Sequence, residues 1–255
     1  MKHTAAFLNG VGVTEFACIP FSECRVMRPY KCDKIGEIRS VLLFLIPYFD
    51  GIPEKRNLSL YAIPRDYHLF VRSISDGLTG AFHEDYPDSS AFVFSDSSPI
   101  DEVDAACRAG LGFRGDNRML IHPRFGPFVF IGEMLTDAVL PSSSREPGEC
   151  PHCGKCSCGR SVCLSSLTQK KGDLTSEEEQ ILLEHPLIWG CDDCLLACPY
   201  AQNAERTPIP FFRQEKLPFL TQEILEGMSE DAFSSRAWSW RGKAVVERNL
   251  SFLKK

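Results

Sequence analysis

The sequence predicts an α+β protein: a mixed α/β domain, then a two-cluster ferredoxin-like module, then C-terminal helices. Three observations predict it. Residues 41–46 (VLLFLI) form a short, wholly apolar run that reads as a buried strand, within a region that also carries helical spacing. Eight of the twelve cysteines crowd into residues 150–198. Between these regions, Pro141-Ser142-Ser143-Ser144-Arg145-Glu146-Pro147-Gly148 is a linker by composition. The expected parts are residues 1–145, 146–205 and 206–255, the last a helical tail packing on the first.

The strand at 41–46 is closed by Pro47. Residues 60–78 carry apolar side chains at helical spacing, with Pro64 near the first turn. A short strand at 91–94 leads into Ser95-Asp96-Ser97-Ser98-Pro99. There Ser98 with Asp101 resembles a capping box and Pro99 suits a first helical position, so a helix over 99–109 is expected, ending at Gly110. Residues 118–122 and 128–135 flank Pro123-Arg124-Phe125-Gly126 and predict a β-hairpin. The tail from 221 is helical in pattern and ends basic, with Arg236, Arg241, Lys243, Arg248, Lys254 and Lys255 against Glu247.

The formal net charge of −6 argues against a surface blanketed for nucleic acid, though a local basic face is compatible with it. Residues 5–13 are interrupted by Asn9 and Gly10 and lack a clear cleavage site, so no signal peptide is expected. The apolar run at 41–46 is far too short to cross a bilayer, so no membrane partner is expected. A reducing cytoplasm, with thiolates able to bind metal, is the expected setting.

The clustered cysteines are Cys150, Cys153, Cys156, Cys158, Cys163, Cys191, Cys194 and Cys198, the last followed by Pro199. Two short-spaced groups with a terminal Cys-Pro match a pair of [4Fe–4S] clusters, in which the fourth cysteine of each run crosses to the other cluster. The expected sets are Cys150, Cys153, Cys156 and Cys198 for one cluster, and Cys163, Cys191, Cys194 and Cys158 for the other. Cys158 is the least regular ligand, one residue from Cys156 rather than three and not followed by proline. Zinc knuckles fit a triple run less well, and disulfides need an oxidising compartment. Cys18, Cys24, Cys32 and Cys107 lack such spacing and read as buried thiols.

Gly110-Leu111-Gly112-Phe113-Arg114-Gly115 formally matches a dinucleotide fingerprint. It follows a predicted helix rather than a strand, so it reads instead as a tight turn able to lie against a cofactor. Further motifs occur in a fixed order: Tyr61-Ala62-x-x-Arg65-Asp66-Tyr67-His68, Asp96-x-x-Pro99-x-x-Glu102, Arg108-Ala109-Gly110-Leu111-Gly112-Phe113, and Gly132-Glu133-x-Leu135-Thr136-Asp137. Gly190-Cys191-Asp192-Asp193-Cys194-x3-Cys198-Pro199 and Arg248-Asn249 follow. In this order the chain resembles the epoxyqueuosine reductase family, cobalamin-dependent iron–sulfur enzymes of queuosine biosynthesis in tRNA.

The resemblance implies two [4Fe–4S] clusters passing electrons to cobalamin, and an epoxide on a modified tRNA base reduced to an alkene. It implies that Asp96 is the catalytic proton donor. In a closed apolar pocket such a carboxyl would have a raised pKa and stay protonated. On residues alone, Asp96 reads first as an ordinary turn or capping residue. Tyr67, His68, Gly112, Phe113, Arg114 and Gly115 become the expected cofactor contacts. Arg114, Arg118 and Arg124 form a basic rim that suits corrin carboxylates, RNA phosphate or plain solvation. tRNA and an electron donor such as flavodoxin or ferredoxin become the expected partners.

The chain departs from the family at three places. It ends at Lys255 without room for the family's C-terminal helical-repeat domain; Phe113 and Asp116 stand where the glycine turn commonly carries an aromatic residue and a lysine; and the N-terminal region is short and carries Cys18, Cys24 and Cys32. These departures leave two other readings open: a corrinoid-dependent reductase or reductive activator with a non-tRNA substrate, and a plain iron–sulfur electron carrier.

Overall fold

The first part of the chain is organised by a four-stranded antiparallel sheet in which residues 16–20, 40–47, 129–136 and 91–95 lie side by side in that order. The computed structural model describes residues 1–142, 148–157 and 162–253. The strands are β1 (Phe16–Pro20), β2 (Ser40–Pro47), β3 (Ala91–Ser95) and β6 (Val129–Thr136). β4 (Phe113–Arg114) and β5 (Leu120–Ile121) form a separate two-stranded ribbon. The helices are α1 (Lys2–Gly10), α2 (Pro29–Ile35), α3 (Tyr67–Asp85), α4 (Glu102–Arg108), α5 (Leu164–Thr168), α6 (Ser176–Leu183), α7 (Asp193–Leu196), α8 (Gln222–Gly227), α9 (Glu230–Ser234) and α10 (Lys243–Phe252).

β2 is buried along its whole length because both faces of the sheet are covered. Leu42, Phe44 and Ile46 point into a core shared with α1, α3 and the C-terminal helices, through Leu8, Phe70, Ile74, Leu78, Trp238, Val245 and Leu250. Val41, Leu43 and Leu45 point into a second core with Ala105 and Ala106 of α4 and Leu120 of β5. Gly132 pairs with Phe44 across the sheet, and a Cβ at Gly132 would lie 2.2 Å from the Phe44 ring, which explains a glycine inside a central strand.

Three expectations are corrected. The first long helix begins at Tyr67 rather than residue 60, and runs on to Asp85. Residues Leu60–Ala62 form only a 3-10 turn, since Pro64 lacks an amide donor and Asp66 caps the helix through the His68 amide at 2.9 Å. The next helix starts at Glu102, capped by Asp101, which accepts from the Asp104 amide at 3.1 Å. Ser98 instead accepts from the Ile100 amide at 3.2 Å, so it shapes the turn before the helix. The expected hairpin does not form: β5 pairs with β4, while β6 pairs with β2 and β3. β6 has the longer apolar face, which the central position buries.

A third, small core joins Leu164 and Leu167 of α5, Leu182 of α6 and Phe252 of α10. α10 thus ties the cysteine region to the rest of the chain. Arg248 donates to the Lys170 and Gly172 carbonyls at 2.8 and 2.7 Å, and Asn249 to Thr168 and Ile188 at 2.7 and 2.8 Å. No helix among the described residues is long and apolar enough to cross a membrane.

Candidate metal centres and active site

Cys150, Cys153, Cys156 and Cys198 line one small recess, closed by Phe113, Gly115, Asp116, Asn117 and Tyr200. Cys163, Cys191 and Cys194 line a second cavity of about 690 Å³, together with Tyr48, Tyr61, Phe130 and Leu195. Cys156 and Asn117 border both. Cys158 lies outside the described residues. None of the described cysteines forms a disulfide. Four cysteines around one recess and three further ones around its neighbour, which Cys156 also borders, are a donor set suited to thiolate-held iron–sulfur centres. The second cavity is large enough for an organic cofactor as well.

The second set is held by a buried seam. Gly190 has φ +71°, and a Cβ there would lie 2.1 Å from the Ser59 hydroxyl, so only glycine lets the chain pass residues 58–61 this closely. The Ser59 amide donates to the Trp189 carbonyl at 2.9 Å, and the Trp189 indole to the Tyr61 hydroxyl at 3.1 Å. Asp192, fully buried beside Cys191, accepts from Arg56 at 2.6 Å and from the Leu60 amide at 3.0 Å. Burial pushes its pKa up, opposed by Arg56 and the Leu60 amide. Beside the first set, His152 meets Asp116 at 2.8 Å, so the Asp116 carboxylate contacts the cysteine loop.

A second group of residues gathers at the edge of the sheet. His68 Nδ1 lies 2.7 Å from Asp66 Oδ1, and His68 Nε2 lies 3.5 Å from Asp96 Oδ2. The hydrogen bond to Asp66 pushes the His68 pKa up. Burial alone would raise the Asp66 pKa, but its bonds from His68 bring it below the usual value. Asp96 follows β3 directly, in a left-handed conformation with φ +58°, and the Ser97 amide closes a three-residue turn onto the Ser95 carbonyl at 2.6 Å. Its side chain is 57% exposed, so the closed apolar pocket expected around this carboxyl is absent.

The desolvated acids lie behind it. Burial, with the charges of Asp96 and Asp101, pushes the Glu102 pKa up to about 7. Glu133 is fully buried on β6 opposite Phe94, and burial, opposed by Ser98 and Arg28, pushes its pKa up to about 8. Both were missed as functional candidates. The available signal was a glutamate inside the apolar run FIGEML.

Tyr67 stacks on Phe130 at 3.9 Å between ring centres, and Phe130 lines the large cavity, so Tyr67 joins the two regions. Burial first, then Asp96, raises the pKa of its hydroxyl. The remaining expected cofactor contacts are not brought to this place. Phe113 and Gly115 line the first cysteine recess. Gly112 packs against β5, where a Cβ would lie 2.4 Å from the Ile121 carbonyl oxygen. Arg114 pairs with Asp101 at 2.7 Å, and Arg124 with Glu205 at 2.7 Å and Glu15 at 3.2 Å.

Two cysteine-lined sites lie beside an acidic, aromatic-walled edge of an antiparallel sheet, a donor set suited to thiolate-held iron–sulfur centres. The relatives of the chain are more specific. It is 32% identical over 204 residues to the epoxyqueuosine reductase of Listeria monocytogenes, a match covering 72% of this chain and 53% of the relative. It is 33% identical over 168 residues to that of Aliivibrio fischeri, covering 61% and 45% respectively. The chain thus spans about half the length of these curated relatives. No family model matches it. The solved epoxyqueuosine reductase of Streptococcus thermophilus superimposes with a TM-score of 0.77 at 19% identity, over 98% of this chain and 80% of that one. A structure of epoxyqueuosine reductase with an epoxyqueuosine-modified tRNA-Tyr stem loop superimposes with a TM-score of 0.75 at 22% identity. The chain has the fold of epoxyqueuosine reductases, and the resemblance carried by its motifs extends across most of its sequence.

Proposed function

We propose that the protein is an oxidoreductase of the epoxyqueuosine reductase type, reducing an epoxide on a modified tRNA base. The observation that carries this reading is the meeting of three features: the four-cysteine recess, the adjoining cavity with its own cysteines, and the Asp66–His68–Asp96 chain joined to that cavity through Tyr67 and Phe130. Cys150, Cys153, Cys156 and Cys198 would hold one [4Fe–4S] cluster. Cys163, Cys191 and Cys194, completed by Cys158, would hold the other. Tyr48, Tyr61 and Phe130 would wall a corrinoid. When bound, the clusters and cobalamin supply single electrons at low potential.

Converting an epoxide to an alkene and water takes two electrons and two protons. This chain's own contribution is the protons. Asp66 favours the protonated form of His68, and His68 Nε2 faces Asp96 Oδ2, so the pair can deliver one proton to the departing oxygen and, reloaded from solvent, the second that leaves it as water. The exposed Asp96 side chain sits on a turn, as befits a loop that closes over substrate. An epoxyqueuosine reductase from Bacillus subtilis has been solved with its catalytic aspartate loop swung out of the active site, which supports the same role for the Asp96 turn. tRNA and an electron donor such as flavodoxin or ferredoxin are the proposed partners.

Anaerobic reconstitution with iron, sulfide and cobalamin tests this. The expected result is about eight irons per chain, a bound-corrinoid spectrum, and conversion of epoxyqueuosine in a tRNA stem loop. Corrinoid binding without conversion overturns the substrate. Full iron loading without corrinoid binding makes the protein an electron carrier.

A further inference from the structure

We infer that Arg28 and Lys31, on the N-terminal segment, are positioning residues that clasp the Asp96 turn into its working shape. The inference rests on the catalytic reading of Asp96. It starts from strain. Asp96 occupies the left-handed region at φ +58° within a tight turn closed by Ser97 N to Ser95 O at 2.6 Å. Aspartate tolerates this region better than most residues, but within a three-residue turn its conformation still depends on what holds the turn on either side. β3 fixes the turn on one side, through Ser95 opposite Gly132. On the other side, the turn runs through 97–101 before α4 begins, with no strand or helix of its own.

Residues 25–31 supply the missing restraint. Val26 forms an isolated antiparallel bridge with Ile100. The Met27 and Arg28 amides both donate to the Pro99 carbonyl, at 2.7 and 2.9 Å, and the Asp101 amide donates back to the Arg25 carbonyl at 2.9 Å. Two charged side chains complete the clasp. The Arg28 guanidinium donates to the Ser98 carbonyl at 2.8 Å, and the Lys31 ammonium donates to the Ser97 carbonyl. These are the two carbonyls that follow Asp96, so they fix the direction in which the chain leaves the strained residue. Charge-assisted hydrogen bonds are the strong kind. Arg28 is also a favourable charge for Glu102 and Glu133, so it acts on the acids behind the turn as well as on the turn's backbone. Pro29 opens α2 directly after Arg28 and fixes the helix that presents Lys31.

The test uses Lys31→Met, Arg28→Gln, the double variant and the conservative Arg28→Lys, each in the full chain. Amide hydrogen exchange of residues 95–102 is measured without cofactors, and turnover and iron content after reconstitution. In the double variant, exchange at 95–102 is expected to speed up by about tenfold or more, and kcat to fall by about tenfold while KM and iron content hold. Arg28→Lys should recover part of both effects. Lys31→Met lies at the surface and serves alone should the double variant not fold. A folded variant with wild-type exchange at 95–102 overturns the clasp, as does wild-type turnover where Asp96→Asn is inactive. Should Asp96→Asn itself be fully active, the catalytic reading of Asp96 fails, and the exchange measurement alone decides the clasp.

Discussion

The cysteine region and the acidic edge of the sheet reach their geometry by opposite routes. The cysteines of 148–157 are neighbours in sequence, and their loop holds little structure beyond a turn bond from Ser157 N to Gly154 O at 3.1 Å. Cys153 is exposed, and Cys150 and Cys156 are half-buried. The acids come from separate elements: Asp66 caps α3, Asp96 follows β3, Glu102 opens α4 and Glu133 lies on β6. The sheet and its two cores hold these four together. A metal supplies the order that a short-spaced loop lacks. The proposed proton path cannot borrow order in that way, so the fold must provide it.

This contrast can be broken first at Asp96. Asp96→Asn keeps the turn, since asparagine tolerates the left-handed conformation, but removes the proton. Turnover is expected to fall by about 10²–10⁴ with iron content unchanged. Equal activity would take the chemistry away from the acidic edge. Next is the seam between the regions. Arg56→Met leaves Asp192 buried without its cation, which should cost about 3–5 kcal/mol in unfolding free energy by urea denaturation under anaerobic conditions. Because Asp192 adjoins Cys191, the variant should also load less iron. Full iron with wild-type stability would show that the seam does not hold the second set. A smaller effect is expected from stripping iron with a chelator. Hydrogen exchange should then rise in 148–157 and 162–170 while the central strands 40–47 and 129–136 stay protected. A rise spread over both regions would contradict the division.

The same contrast explains what the sequence revealed. Cysteine spacing is local, so the seven described cysteines could be grouped from sequence, and the structure brings Cys150, Cys153, Cys156 and Cys198 to one recess. Strands at 41–46 and 91–94 were legible because an apolar run bounded by proline or serine has few other readings. The pairing of β6 was not, because register depends on which strand offers the longer buried face, and β5 offered a nearer partner in sequence. Glu102 and Glu133 stand in the motifs, but their desolvation was not legible, for a related reason. Their chemistry comes from what the fold packs around them, and a glutamate reads as solvent-facing until its strand is known to be central.

Glu133 gives the subtlest way to sharpen the comparison, a change of slope rather than a loss. Its pKa is pushed from 4.5 to about 8 by burial on β6, and that of Glu102 from 4.5 to about 7. As pH rises through 4.5, the unfolded chain releases these protons while the folded chain keeps them. The folded state then binds more protons, so stability falls with rising pH. The fall continues to about pH 8, where Glu133 ionises in the folded state too, and then levels off. Glu133→Gln removes the larger of the two contributions. The variant should match the wild type near pH 4, exceed it at pH 8, and show a shallower decline between, carried by Glu102. Urea unfolding midpoints across this range measure it directly. Parallel curves would mean that Glu133 is ionised in the folded protein, and that Arg28 outweighs the desolvation that sets this edge of the sheet apart from the cysteine region.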